Sequence, residues 1–191
     1  FESFSLVPPG KARLEEALRQ ARETHSDTKL AFRIDNMEMR RHGARLVMRE
    51  AVAPKRDNTL IHTLAWKGEG RYSVPSWSGE FVFTAVQGNE WGVPESLLAA
   101  AVLQVRPRRG GEKFKIARNR PRKMLKALYQ EADIAEYDRA ALPLLWAGSD
   151  LIFAAGIGSD VRYLSEDPQQ TRYRISWRPD ATLLTLMQEK N

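Results

Sequence analysis

The sequence predicts an α+β protein: an N-terminal helix, then a mainly antiparallel, β-sandwich-like region, then a small α/β unit at the C-terminal end. Three observations carry this prediction. Apolar residues recur at every second position through much of the chain from Lys29 onward, which is the spacing of strands with one buried face. Spacing of three and four is confined to Ala12 to Thr24 and to the segment after Pro121. Glycine, proline and serine separate the strand-like runs at intervals that suit tight reversals. With 191 residues, 42% hydrophobic and 28% charged, the chain has ordinary globular usage and enough length to bury a core.

Taken in order, Leu14, Ala17, Leu18 and Ala21 line one face of an amphipathic helix, and Pro8-Pro9-Gly10 blocks its backward extension. Residues 1–28 therefore read as the helical end of a preceding domain and 29–191 as a C-terminal α+β domain. Leu30, Phe32 and Ile34, then Leu46 and Met48, alternate as strands about a turn at His42-Gly43. Further strands are expected at Leu60 to Trp66, Arg71 to Val74 and Glu80 to Val86. Asn89 to Ala101 admits two readings, a short helix begun at Pro94-Glu95-Ser96 or alanines passing through a core. Leu103 to Val105 and Phe114 to Ile116 read as strands around a basic turn, Arg106 to Gly111. A helix is expected from Pro121, since proline suits the first helical position, with Leu125, Leu128 and Ala132 inward. Leu144 to Trp146, Leu151 to Ala155 and Tyr173 to Trp177 close the chain as strands, with turns at Gly148-Ser149 and Asp167-Pro168.

Charge is concentrated in one place. Between Gln104 and Lys126 stand Arg106, Arg108, Arg109, Lys113, Lys115, Arg118, Arg120, Arg122, Lys123 and Lys126, with Glu112 the only acid. That segment carries +9 against +6 for the whole chain, which leaves −3 elsewhere. A belt of this kind repels itself unless an anion lies opposite. Cations at the mouth of a helix are disfavoured by about 0.3–1 kcal/mol each, and become favourable when a phosphate docks there. The competing reading is a solvated basic face. Gly110-Gly111 is read as a turn in preference to a phosphate cradle.

Several classes are excluded or lack support. There is no cysteine, so disulfides, thiolate metal sites and cysteine nucleophiles are absent. No apolar run approaches the roughly 20 residues of a membrane span. His25, His42 and His62 lack metal-ligand spacing. Gly156-Ile157-Gly158 lacks the third glycine and following helix of a dinucleotide loop, and Ser96 and Ser149 sit in no nucleophile elbow. The five tryptophans, Trp66, Trp77, Trp91, Trp146 and Trp177, are expected in the core. The chain opens Phe1-Glu2-Ser3-Phe4, without an initiating Met or a signal segment, and reads as a piece of a longer polypeptide.

The run VRPRRGGEKFKIARNRPRKMLKALYQEADIAEYDRAALPLLWAGSDLIFAAG, Val105 to Gly156, resembles the C-terminal domain of bacterial tRNA(Ile)-lysidine synthetases. The features in order are an arginine-flanked Gly-Gly before Glu112, a basic stretch through Arg118, Lys123-x-x-Lys126, Arg139 ahead of Leu142-Pro143-Leu144, and a closing apolar strand. The strongest resemblance spans 103–178. Upstream, RLEEALRQARETHSDTKL and MRRHGARLVMRE look like the family's preceding helix and the start of its sheet. Where relatives often carry Gly-Arg and a basic pair, this chain has Arg118-Asn119-Arg120-Pro121.

The resemblance implies an α+β fold shared with a domain of the phenylalanyl-tRNA synthetase β subunit, and a role in gripping the body and acceptor stem of an isoleucine tRNA. It implies that the parent is a cytoplasmic ligase, which activates the wobble cytidine with ATP and joins lysine to it, and which is possibly a homodimer. The S-G-G-x-D-S loop of the catalytic domain is absent. No cofactor is therefore expected on these residues, and ATP and Mg are expected on the catalytic domain. The residues expected to meet RNA are the ten cations of the belt and Arg139. A module whose basic face meets an acidic protein partner is the alternative.

Overall fold

A computed structural model describes residues 60–180 throughout, the side chain of Tyr137 apart, together with the backbone of residues 31–34, 37–42 and 45–50 and two helical residues, Glu15 and Arg19. The remainder of the expected N-terminal helix lies outside the described residues. The chain divides into two compact units, Phe1–Lys55 and Arg56–Asn191. The division falls after the first three strands and not at residue 28, where the helical pattern gives way to alternation.

In the first unit β1 (Ala31–Ile34), β2 (Met37–His42) and β3 (Arg45–Glu50) form an antiparallel sheet in the order β1-β2-β3. The pair His42↔Arg45 closes the second hairpin, where His42-Gly43 marks a reversal in the sequence.

The second unit holds two larger sheets. The four-stranded sheet has β5 (Gly70–Val74), β6 (Gly79–Val86), β14 (Arg172–Pro179) and β7 (Val93–Pro94) in the order β5-β6-β14-β7. The five-stranded sheet has β13 (Gly158–Ser159), β12 (Asp150–Ala154), β11 (Leu144–Ala147), β8 (Leu103–Arg106) and β4 (His62–Leu64) in the order β13-β12-β11-β8-β4. All these pairings are antiparallel, and alternation puts one face of each sheet inward. Phe81 and Phe83 of β6 are buried in one apolar cluster with Val105 of β8, Leu145 of β11 and Phe153 of β12. Phe81 meets Phe153 edge-on at 5.7 Å, an aromatic geometry that contributes beyond simple burial. Gly79 admits no side chain, because a Cβ there stands 2.4 Å from the Trp177 ring.

The separate α/β unit expected at the C-terminal end does not exist as such. The last strand, β14, runs along the full length of β6 from Arg172↔Val86 to Pro179↔Gly79, and β8 pairs with β4. Residues 103–178 thus share both sheets with residues 62–94. Sequence separation hid these partnerships, which neither periodicity nor turn residues encode.

A short helix α1 (Glu95–Ala100) bears out the first reading of the 89–101 segment. The helix expected from Pro121 begins later: α2 spans Leu125–Glu131. Lys123 and Met124 belong instead to a short strand β10 that pairs with β9 (Lys113–Phe114). The proline signal misled because its fixed φ suits extended backbone as well as a first helical turn. Leu125, Leu128 and Tyr129 form the buried stripe of α2, while Ala132 is exposed just past its end. A further helix, α3 (Glu136–Arg139), follows. The strand expected at Phe114 to Ile116 stops at Phe114, because the Lys115 N–H turns aside to the Asp160 carboxylate at 3.0 Å.

Candidate nucleic-acid interface

The basic belt is a single excursion of the chain between β8 and α2, folded back on itself. Its two limbs are joined by the β9–β10 ribbon, with Lys113↔Met124 and Phe114↔Lys123 as partners. Phe114 anchors the ribbon in the core at 0% exposure. The limbs also meet at the helix, where Leu125 N–H donates to the Glu112 carbonyl at 2.8 Å. Residues spread over twenty positions of sequence are thereby drawn into one structure.

Glu112, the only acid of the segment, is spent on the backbone. Its carboxylate accepts from the N–H groups of Arg109 at 2.6 Å and Gly110 at 3.0 Å. Gly110 and Gly111 adopt φ of +94° and +83°, a region favourable to glycine, and the carboxylate closes the turn around them. The glycine pair is therefore a turn, as the sequence suggested, with its carboxylate clasp supplied from two residues on. The belt cations gain no direct side-chain partner from Glu112.

The far tip is fixed differently. Asp160, fully buried, accepts from the Lys115 N–H, from the Arg162 N–H at 3.0 Å and from the Arg162 guanidinium at 2.8 Å. Asp160 raises the pKa of Arg162, first through this side-chain hydrogen bond. Beyond Lys115 the chain makes a turn in which Arg120 N–H donates to the Ala117 carbonyl. There the Arg118 guanidinium lies 4.0 Å from the centre of the Trp91 ring.

The structure sorts the expected residues into three groups. Arg109, Lys113, Arg118, Arg120, Arg122 and Lys126 are exposed. Arg106, Arg108, Lys115 and Lys123 are half-buried. Arg106 donates to Gln104 and to the Gly148 carbonyl at 2.9 Å, and stacks on Trp146 at 4.9 Å. Lys123 pairs with Glu131 at 2.7 Å and, among the described residues, is the one belt cation in an ion pair with a carboxylate. Arg139 stands apart from the belt on α3. It is 6% exposed, its Nε donates to the Ile134 carbonyl at 2.8 Å, and burial lowers its pKa. Arg139 is thus a buried structural group, against the expectation that it faces RNA. Arg120, Arg122 and Lys123 likewise do not lie on a first helical turn, so no helix dipole acts through them, and what carries the site is clustered charge.

Trp91 departs from the expected core placement of the tryptophans. It is 37% exposed, in contrast to buried Trp77 and to Trp66, Trp146 and Trp177, which pack against the core. The signal was present in its surroundings, since Gly88, Asn89 and Gly92 mark a loop. Asp160 gave no such signal, because its contact with Lys115 spans 45 residues.

Among the described residues, no helix is long and apolar enough to cross a membrane, and no group of three or more His, Cys, Asp or Glu is placed to hold a metal. Residues 103–177 match the family model described as the TilS substrate C-terminal domain. Over 178 residues, 90% of this chain and 36% of the relative, the sequence is 32% identical to a tRNA(Ile)-lysidine synthase of Nitrosomonas europaea. It is 38% identical over 119 residues, 61% of this chain and 24% of the relative, to the protein of that name in Burkholderia pseudomallei. The chain therefore spans about a third or less of the length of these curated relatives. A crystal structure of a TilS C-terminal domain matches with a TM-score of 0.47 at 18% identity, covering 63% of this chain and 98% of that one.

Proposed function

Residues 103–177 belong to the TilS substrate C-terminal domain family, and on that premise we propose that the chain is the tRNA-gripping C-terminal portion of a ligase that joins lysine to the wobble cytidine of an isoleucine tRNA. The observation that carries this reading is the belt itself. Six exposed cations stand in one folded excursion, and its single acid is engaged by backbone N–H groups. A phosphate backbone supplies the missing countercharge. Duplex RNA offers phosphates and 2′-hydroxyls over a shallow groove, so the grip rests on shape and backbone more than on base edges. Arg109, Lys113, Arg118, Arg120, Arg122 and Lys126 take the phosphates, and Arg106, Arg108, Lys115 and Lys123 hold the surface that presents them. Adenylation belongs to the catalytic domain of the parent enzyme. This sequence carries no S-G-G-x-D-S loop, so no residue here is assigned to ATP or Mg.

Filter binding of tRNA at 50 and 200 mM salt tests the reading. Six phosphate contacts predict an affinity loss of about 10³-fold between the two. Replacing Arg118, Arg120 and Arg122 by Ala should make the salt dependence shallower by about 2.7 in log–log slope. The unfolding midpoint should barely move, since surface changes are worth about 0.5 kcal/mol or less. Salt-insensitive binding, or a triple variant with unaltered affinity, overturns the assignment. Binding to an acidic protein with no preference for tRNA over random polyanions favours the alternative of a protein-interaction module.

A further inference from the structure

Next to the belt lies an open cleft of about 300 Å³ whose lining includes Lys113, Arg122, Trp146, Asp150, Arg162 and Tyr163. Its volume is at the small end of the range for small-ligand sites, which suits one planar group and not a helix. Two aromatic residues contribute to the wall, and each is held by a guanidinium: Arg106 is 4.9 Å from the Trp146 ring and Arg162 is 4.8 Å from the Tyr163 ring. Tyr163 is further fixed by donating its hydroxyl to Asp150 at 2.7 Å. Burial, and then that hydrogen bond, push its phenol up to about 12, so the ring stays neutral over the physiological range.

The charges in the cleft are arranged for an anion beside the rings. Glu112 is occupied by backbone N–H groups and Asp150 by Tyr163. Arg162 is tied to Asp160. Lys113 and Arg122 have no carboxylate partner among the described residues, and Arg122 Nη2 is oriented by the Lys113 carbonyl at 3.0 Å. These two cations belong to the belt and to the cleft at once, so a strand held on the belt enters the cleft without a break.

Resting on the tRNA-binding reading above, we infer that this cleft takes one unpaired nucleotide of the bound RNA, its base beside Trp146 and Tyr163 and its phosphate on Lys113 and Arg122. Unstacked bases are the usual target of aromatic and guanidinium planes in RNA recognition, and such stacking tolerates any base. The domain then recognises a junction between duplex and single strand and not uniform duplex.

The test uses the whole chain and two RNA hairpins with the same stem, one blunt and one with a short single-stranded tail carrying 2-aminopurine. The tailed hairpin should bind about tenfold tighter, with a change in 2-aminopurine emission. Two variants, Tyr163→Ser and Ser149→Trp, should erase that gain. The first removes a ring, and the second fills the cleft from an exposed turn position, so one remains informative if circular dichroism shows the other unfolded. Equal affinity for both hairpins overturns the cleft assignment while leaving belt binding intact. A tail advantage that survives in folded variants places the nucleotide elsewhere and overturns it too. Failure to bind either hairpin removes the RNA-binding reading and the cleft with it.

Discussion

At the start of β14, Arg172 is 1% exposed, and its guanidinium donates to the carbonyls of Glu90 at 2.6 Å, Gly88 at 2.8 Å and Gln170 at 3.0 Å. Across the belt, Arg109, Arg118, Arg120 and Arg122 stand exposed and meet no carboxylate among the described residues. One side chain type thus serves two opposite ends. Near β14, arginine ties distant loops together, since residues 88 and 90 are more than eighty positions from Arg172, and Arg174 adds an ion pair to Glu90 at 2.9 Å. In the belt, donors are held in place by their surroundings while their charge is left for something outside the chain. Partnered arginines mark the fold and unpartnered ones mark the ligand.

The sharpest way to break that contrast is Arg172→Met, which keeps volume and removes the donors. Hydrogen bonds from a charged group contribute about 1.5–3 kcal/mol each, reduced here because exposed carbonyls regain water. The expected loss is about 2–4 kcal/mol, read as a lower urea midpoint. Affinity for tRNA in the folded protein should change less than twofold. An Arg172 variant with full stability and weakened RNA binding would collapse the distinction between the two groups.

Asp160→Asn comes next and separates position from charge. The substitution removes a negative charge, so electrostatics alone predicts tighter RNA binding. Yet the carboxylate accepts from Lys115, from the Arg162 backbone and from the Arg162 guanidinium, and an amide offers one acceptor oxygen where two were used. We expect a loss of about 1–3 kcal/mol in stability and weaker tRNA binding, because the 115–122 turn loses its anchor. Tighter binding with native stability would show that the belt acts as diffuse charge and needs no fixed shape.

How much of this was legible in the sequence follows from the range of each interaction. The alternation behind β5, β6, β11, β12 and β14 is local and could be read directly, as could the density of cations between Gln104 and Lys126. What stayed hidden depends on partners far along the chain. Lys123 and Met124 read as helix because nothing nearby reveals Phe114 and Lys113 as strand partners. Arg139 read as an RNA contact because an arginine is ordinarily exposed, and only the packed α3 shows its Nε turned to the Ile134 carbonyl. The belt as a charge was therefore visible, and the belt as a shape, clasped by Glu112 at one end and Asp160 at the other, was not.

Trp91→Ala tests the smallest and most specific part of that shape. The ring holds the Arg118 guanidinium flat at 4.0 Å, and such a contact at an exposed site is worth about 0.5–1 kcal/mol. Removing it leaves every charge in place but frees Arg118 among its rotamers, so tRNA affinity should fall about two- to fivefold. The log–log salt slope should stay as it was, because the number of phosphates neutralised does not change. Trp91→Phe should recover part of the loss, since a phenyl face also attracts a cation but less strongly than an indole. The triple arginine variant lowers both affinity and slope, so measuring the two together tells a lost contact from a lost orientation. A shallower slope in Trp91→Ala would mean that Arg118 leaves the phosphate altogether without its aromatic support, which would make the tryptophan as necessary to binding as the cation it carries.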